Sequence, residues 1–152
     1  HLRFISVART HINGPMRRAP QPLTATPPAA LDFSRAAGPV STAFDDIYYS
    51  VEGGLEETRT VYLAACGLPQ IWAGRELFTV AELGFGSGLN FLALWELWRA
   101  HRPSQSARLN VISVEAFPLS RAQLSQALSP WTKLEAFAKP LIDQWPGRVS
   151  DP

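Results

Sequence analysis

Phe78–Asn90 reads FTVAELGFGSGLN: a short apolar run with Glu82 near its end, glycines at 84, 86 and 88, then a segment rich in Leu, Phe and Trp. That order is strand, tight turn, helix, with the helix N-terminus facing the turn. Glycine at alternate positions lets the backbone take positive φ and removes the Cβ atoms that would hold a bound group away. Two common phosphate-binding loops are excluded by one residue. Counted from Gly84, both G-x-G-x-x-G and G-x-x-x-x-G-K-[ST] need glycine where Leu89 stands. What remains is E-x-G-x-G-x-G, with the acid two residues before the first glycine. By itself such a turn can also be a plain strand-to-helix connection that binds nothing.

Working outward, Leu89 to Ala100 is apolar almost all round, which suits a helix buried between sheet and neighbours. Arg99, His101, Arg102 and Pro103 end it. Leu109 to Val114 (LNVISV) reads as a second strand, closed by Glu115. In a doubly wound sheet, an acid at the end of the second strand accepts hydrogen bonds from the ribose hydroxyls of a nucleoside cofactor. The interval from Gly84 to Glu115 exceeds the usual spacing of about 20 residues because the intervening helix and loop are long. Ser120 and Gln123 form a capping box before a helix that presents Leu124 and Leu128. A further helical piece carries Leu134, Phe137, Leu141 and Trp145, with an interruption expected at Pro140. Upstream, Gly53 and Gly54 open an expected helix, Leu55 to Cys66, with a buried stripe of Leu55, Thr58 or Arg59, Tyr62 and Cys66, and Gly67 as its left-handed cap. Phe44 to Ser50 (FDDIYYS) is either a turn that docks aromatics while solvating two acids, or the wall of a site. The residues alone favour the docked turn. Alternating strands and helices predict an α/β fold with a parallel, doubly wound, Rossmann-like sheet.

Composition narrows the class. Of 152 residues, 46% are hydrophobic and 18% charged, enough for one core and no more than one ordinary domain. No apolar run reaches the roughly 18 residues of a membrane span, and no secretory leader is apparent. The single cysteine, Cys66, reads as a small buried side chain in a reducing, cytoplasmic setting, and no His/Cys cluster suggests a metal. Residues 1–44 carry five arginines against one acid, whereas 45–152 carry nine basic and twelve acidic residues, so the folded part is not a basic nucleic-acid platform by itself. Residues 1–40, rich in Pro and Arg, are expected to be a largely disordered extension, with 41–152 forming the globular part. Met16 is the expected native start. The chain is expected to stop before the sheet is complete, leaving a sheet edge and the Leu89 to Trp98 helix exposed and the fragment prone to aggregate.

The E-x-G-x-G-x-G turn resembles the first motif of class I S-adenosylmethionine-dependent methyltransferases, in which the turn packs against the methionine part of the cofactor. Together, FDDIYYS, GLEETRTVYL, AELGFGSGLNFL, SVEAFPLSRAQL and QWP resemble the methyltransferase domain of the MnmC family of tRNA 5-methylaminomethyl-2-thiouridine biosynthesis proteins, from about Leu31 to Pro146. The resemblance implies methylation of the aminomethyl nitrogen of a tRNA wobble uridine by S-adenosylmethionine. It also implies FAD for the whole protein, where an oxidase domain follows. It assigns Glu82, Gly84, Phe85, Gly86, Ser87, Gly88, Asn90 and Glu115 to the cofactor. Asp45, Asp46 and Tyr48 match the family's DDxY segment and become a substrate-site wall. Ala116 departs from the lysine often found there. The family's later D-G-F-A-P motif is absent, so the proton acceptor is expected outside this sequence. The alternatives are a class I methyltransferase for another substrate, or a nucleotide-binding fragment without chemistry.

Overall fold

The computed structural model describes residues 29–145. The expectations for residues 1–28, including the Met16 start, lie outside them. The frame is a parallel pair, β4 (Leu77–Leu83) and β5 (Arg108–Val114), in register from Leu77 opposite Arg108 to Leu83 opposite Val114. Between them runs α2 (Leu89–His101), the crossover that a parallel pair requires. Strand, glycine turn, helix and strand fall where the sequence places them. The chain is thus a mixed α/β fold with a two-stranded parallel sheet.

Helix α2 owes its buried position to apolar residues on every side. Leu89, Phe91 and Leu92 pack into a cluster with α3 (Arg121–Leu128) and α4 (Glu135–Gln144). Ala93, Leu94 and Trp98 pack into a second cluster with Leu63, Leu68 and Trp72, against Phe78, Val80, Leu109 and Val111 of the sheet. Fully buried Trp72 sets its ring edge-on to Trp98 at 5.0 Å and donates its indole N–H to the carbonyl of His101 at 3.2 Å. The helix is therefore core, as its all-round apolar pattern implies, and not laid bare as expected for an incomplete sheet. The bare apolar surface lies instead on the other face of the sheet, where Leu77, Ile112 and Leu83 (91% exposed) stand in solvent.

Four other expectations change. Residues 29–40, assigned by sequence to the extension, are structured: β1 (Leu31–Asp32) and β2 (Val40–Ser41) form a small antiparallel sheet with β3 (Asp46–Ile47), and Ala29 and Val40 are buried. FDDIYYS supplies β3 rather than only a turn. Strands of two residues carry no readable alternation, which is why none was foreseen. The expected helix from Leu55 begins as α1 (Gly54–Glu57) and then widens into a π-helical segment, Thr58–Ala64. Its i→i+5 bonds shift the phase, so the buried positions are Gly54, Thr58 and Leu63, while Tyr62 and Cys66 face solvent. Pro140 does not interrupt α4. The helix runs through it because burial of Ala138, Leu141 and Trp145 outweighs the one missing N–H.

The Ser120 capping box forms as read. The Ser120 hydroxyl accepts from the Gln123 N–H at 3.2 Å, and the Gln123 side chain accepts from the Ser120 N–H at 2.9 Å. Leu124 and Leu128 are buried beneath it.

Candidate functional site

The three glycines of the turn each take positive φ, for different reasons. Gly84 (φ +89) donates its N–H to Val114 O at 2.7 Å, tying the end of β4 to the end of β5, and a Cβ there would meet nothing within 4 Å. Gly86 (φ +55) turns its N–H to the Glu115 carboxylate at 2.8 Å, with the Tyr48 ring across its other side, 3.5 Å from where a Cβ would stand. Gly88 (φ +75) is the N-cap of α2, and a Cβ on it would lie 2.8 Å from the Phe85 ring. Only Gly88 is thus demanded by packing as well as by conformation; Gly86, where a Cβ would make ordinary contact with Tyr48, and Gly84, over open space, are demanded by conformation.

Glu115 holds the centre. One carboxylate oxygen accepts from Gly86 N–H and the other from Phe117 N–H, both at 2.8 Å. Each oxygen keeps a further lone pair, so two hydroxyl donors can still be received. Phe117 and Phe44 (63% exposed) meet edge-on at 5.3 Å, giving an apolar surface close to this acid. Tyr48 is half-buried, and burial first, then the Glu115 charge, raises its phenol above the usual range.

Glu82 lies opposite Ser113 in the register and accepts from its hydroxyl at 2.8 Å. Burial raises its carboxyl above the usual range, the Ser113 and Asn90 hydrogen bonds pull it down, and the Glu115 charge raises it. Two carboxylates at adjacent strand ends concentrate negative potential beside a glycine turn. That arrangement suits a ligand with both cationic and hydroxyl groups.

The remaining sequence candidates divide. Phe85 and Ser87 are buried; the Phe85 ring stacks on Trp145 at 5.0 Å, so its side chain belongs to the core and only its backbone borders the turn. Asn90 accepts from the Thr58 hydroxyl at 2.9 Å. Asp45 and Asp46 are exposed: Asp45 pairs with Arg35 at 3.4 Å, and Asp46 receives the N–H of Ile47 at 2.8 Å. Of the DDxY segment, only Tyr48 reaches the glycine turn. Residues the sequence reading did not place at the site are Ser113, the Phe44–Phe117 pair, and Thr58, which it offered only as one of two alternatives on the helix's inward stripe. The Glu82–Ser113 register was the one available signal, since equal-length strands pair their ends. Among the described residues, no group of three or more His, Cys, Asp or Glu comes together, and no helix is long and apolar enough to cross a membrane.

No protein-family model matches the chain. It is 48% identical over 125 residues to the tRNA 5-methylaminomethyl-2-thiouridine biosynthesis bifunctional protein MnmC of Maricaulis maris, covering 82% of the chain and 21% of that protein. Against the MnmC of Caulobacter vibrioides it is 47% identical over 127 residues, covering 84% and 21%. The crystal structure of MNMC2 from Aquifex aeolicus aligns at 19% identity and a TM-score of 0.49, over 85% of the chain and 42% of that structure. The chain is homologous to one segment of the MnmC proteins and spans about a fifth of the length of these relatives.

Proposed function

We propose that this homologue of an MnmC segment is part of a class I methyltransferase fold that binds S-adenosylmethionine. Its reaction would be methylation of the aminomethyl nitrogen of 5-aminomethyl-2-thiouridine at the tRNA wobble position. The observation that carries the reading is the Glu115 carboxylate, fixed by Gly86 and Phe117 N–H groups beside the open space at Gly84. The residues present fit such a cofactor. Glu115 would take the ribose hydroxyls, the Phe44–Phe117 surface the flat base, and the negative potential of Glu82 and Glu115 the cationic methionine end. Bound S-adenosylmethionine supplies an electrophilic methyl on a sulfonium.

The chain's own work is positioning. Gly84 lets the backbone approach closely, Gly88 starts α2 with its N-terminus toward the turn, and Tyr48 walls the side from which an acceptor would enter. An amine acceptor must lose its proton to attack, and the group that takes it is not assigned to any residue here. The relatives are named bifunctional; an oxidase domain of the whole protein, which the family resemblance implies, would use FAD, and the whole protein would work in the cytoplasm on tRNA.

The test is calorimetric titration of S-adenosylmethionine into the chain and its Glu115→Ala variant. Transfer of labelled methyl to tRNA from cells lacking this modification, by the complete gene product, follows. Binding that weakens on the order of a hundredfold in the variant supports the cofactor site, two charge-assisted bonds being lost. Binding without tRNA labelling moves the substrate to another class. Absence of binding by the complete protein overturns the reading.

A further inference from the structure

Two loops make the site: the glycine turn that follows β4, and residues 115–119 that follow β5. Gly84 N–H to Val114 O, at 2.7 Å, joins their bases. Beyond that bond the first loop runs into α2 and the second leads to α3. The Glu115 carboxylate depends on both. Its bond from Phe117 N–H is local, two residues along the same loop. Its bond from Gly86 N–H crosses from one loop to the other, 29 residues apart in sequence. The crossing bond requires the two loops to keep a fixed separation.

Trp145, which follows α4, touches both loops. It is 5% exposed, and its ring stacks on Phe85 of the glycine turn, with centroids 5.0 Å apart and planes at 26°. The Phe85 ring lies close against the turn's own backbone, since a Cβ on Gly88 would stand 2.8 Å from it. On its other side, the Trp145 indole N–H donates to Leu119 O of the second loop at 2.7 Å. Trp145 is itself pinned. Arg121, the first residue of α3, donates to its carbonyl at 2.8 Å and to that of Asp143 at 3.4 Å, and a cation suits the carbonyls that close a helix.

We propose that Trp145 is a positioning residue, a brace that sets the distance between the glycine turn and the Glu115 loop and so keeps the Gly86–Glu115 bond made. The ring holds the turn, the indole N–H holds the loop, and Arg121 holds the indole. Stacking and a buried hydrogen bond fix orientation as well as separation, which is what a site needs from the residues behind it. The brace stands on these contacts alone; only its service to S-adenosylmethionine rests on the methyltransferase reading.

The experiment follows the Gly86 and Phe117 amide protons by NMR in the full chain as pH is lowered and Glu115 takes up a proton. Responses that vanish in Glu115→Gln belong to this carboxylate, and a wild-type Gly86 amide without one overturns the proposal. Trp145→Phe keeps a ring against Phe85 and removes the N–H. The expected result there is loss of the Gly86 response with the Phe117 response kept. A tryptophan that only stabilises the core would lower the urea midpoint and leave both responses intact, and that outcome overturns the brace. Loss of both responses overturns it as well, because the Phe117 bond lies within one loop. If Trp145→Phe does not fold, Arg121→Met at an exposed residue decides: the Gly86 response should weaken, and an unchanged one overturns the brace. Trp145→Phe should also bind S-adenosylmethionine about tenfold more weakly, the worth of one hydrogen bond. Unweakened binding by a variant that has lost the Gly86 response overturns the positioning role. A lost Gly86 response together with no S-adenosylmethionine binding by wild type upholds the brace and overturns the cofactor reading it would serve.

Discussion

Alanine at Gly84 and at Gly88 should have different consequences, although both glycines belong to one turn. Both have φ near the left-handed region, +89 and +75, so a Cβ costs about 1–2 kcal/mol in backbone strain at either. At Gly88 the new carbon also lands 2.8 Å from the Phe85 Cε1 and Cζ atoms and 3.5 Å from Leu141 Cδ2. The Phe85 ring is packed between Trp145 at 5.0 Å and Phe91 at 5.9 Å, so relief requires moving core aromatics, about 1–3 kcal/mol more. Gly88→Ala should therefore lose about 2–5 kcal/mol, a large share of the roughly 5–15 kcal/mol that holds a domain together. Gly84→Ala should lose only the about 1–2 kcal/mol of strain, since its Cβ meets open space. That same methyl projects where the proposed cofactor would approach, so affinity rather than stability should fall. Urea denaturation followed by tryptophan fluorescence gives the stabilities, and titration with S-adenosylmethionine gives the affinities. Equal denaturation midpoints for the two variants, or a Gly84→Ala chain less stable than Gly88→Ala, would refute the division of labour argued for the turn.

Two further outcomes follow from side chains away from the turn. Tyr49 is buried in the main core, where desolvation pushes its phenol up to about 12, and its hydroxyl donates to Ala127 O. A raised folded value means that stability is intact below pH 10 and is lost as pH rises toward 12, by about 3 kcal/mol in total; Tyr49→Phe should flatten that decline in a urea-midpoint series across the window. Cys66 is exposed, so the native chain should react with one equivalent of a water-soluble thiol reagent at a rate within about tenfold of the urea-denatured chain. Protection far beyond that would return Cys66 to the buried position the sequence suggests.

The strand–turn–helix unit and the acid after β5 could be read from the sequence because they are fixed by local physics. Apolar runs of strand length, alternate glycines and a capping box each act over a few residues, and Glu82, Gly84, Gly86, Gly88 and Glu115 follow from them. Tertiary structure decided the rest. After Glu57 the ladder widens to i→i+5, and the Thr58 hydroxyl pairs with Asn90, 32 residues away. The widened spacing buries Leu63 and leaves Tyr62 and Cys66 outward. Likewise, the two-residue strands β1, β2 and β3 hold together by pairing with one another, so no single stretch announces them. Tyr48 reaches Gly86 because that small sheet carries it there, whereas Asp45 and Asp46, its neighbours in sequence, remain in solvent. Sequence specified the turn and its acids. The long-range pairing of polar groups, each of which must find a partner once buried, decided which side chains surround them.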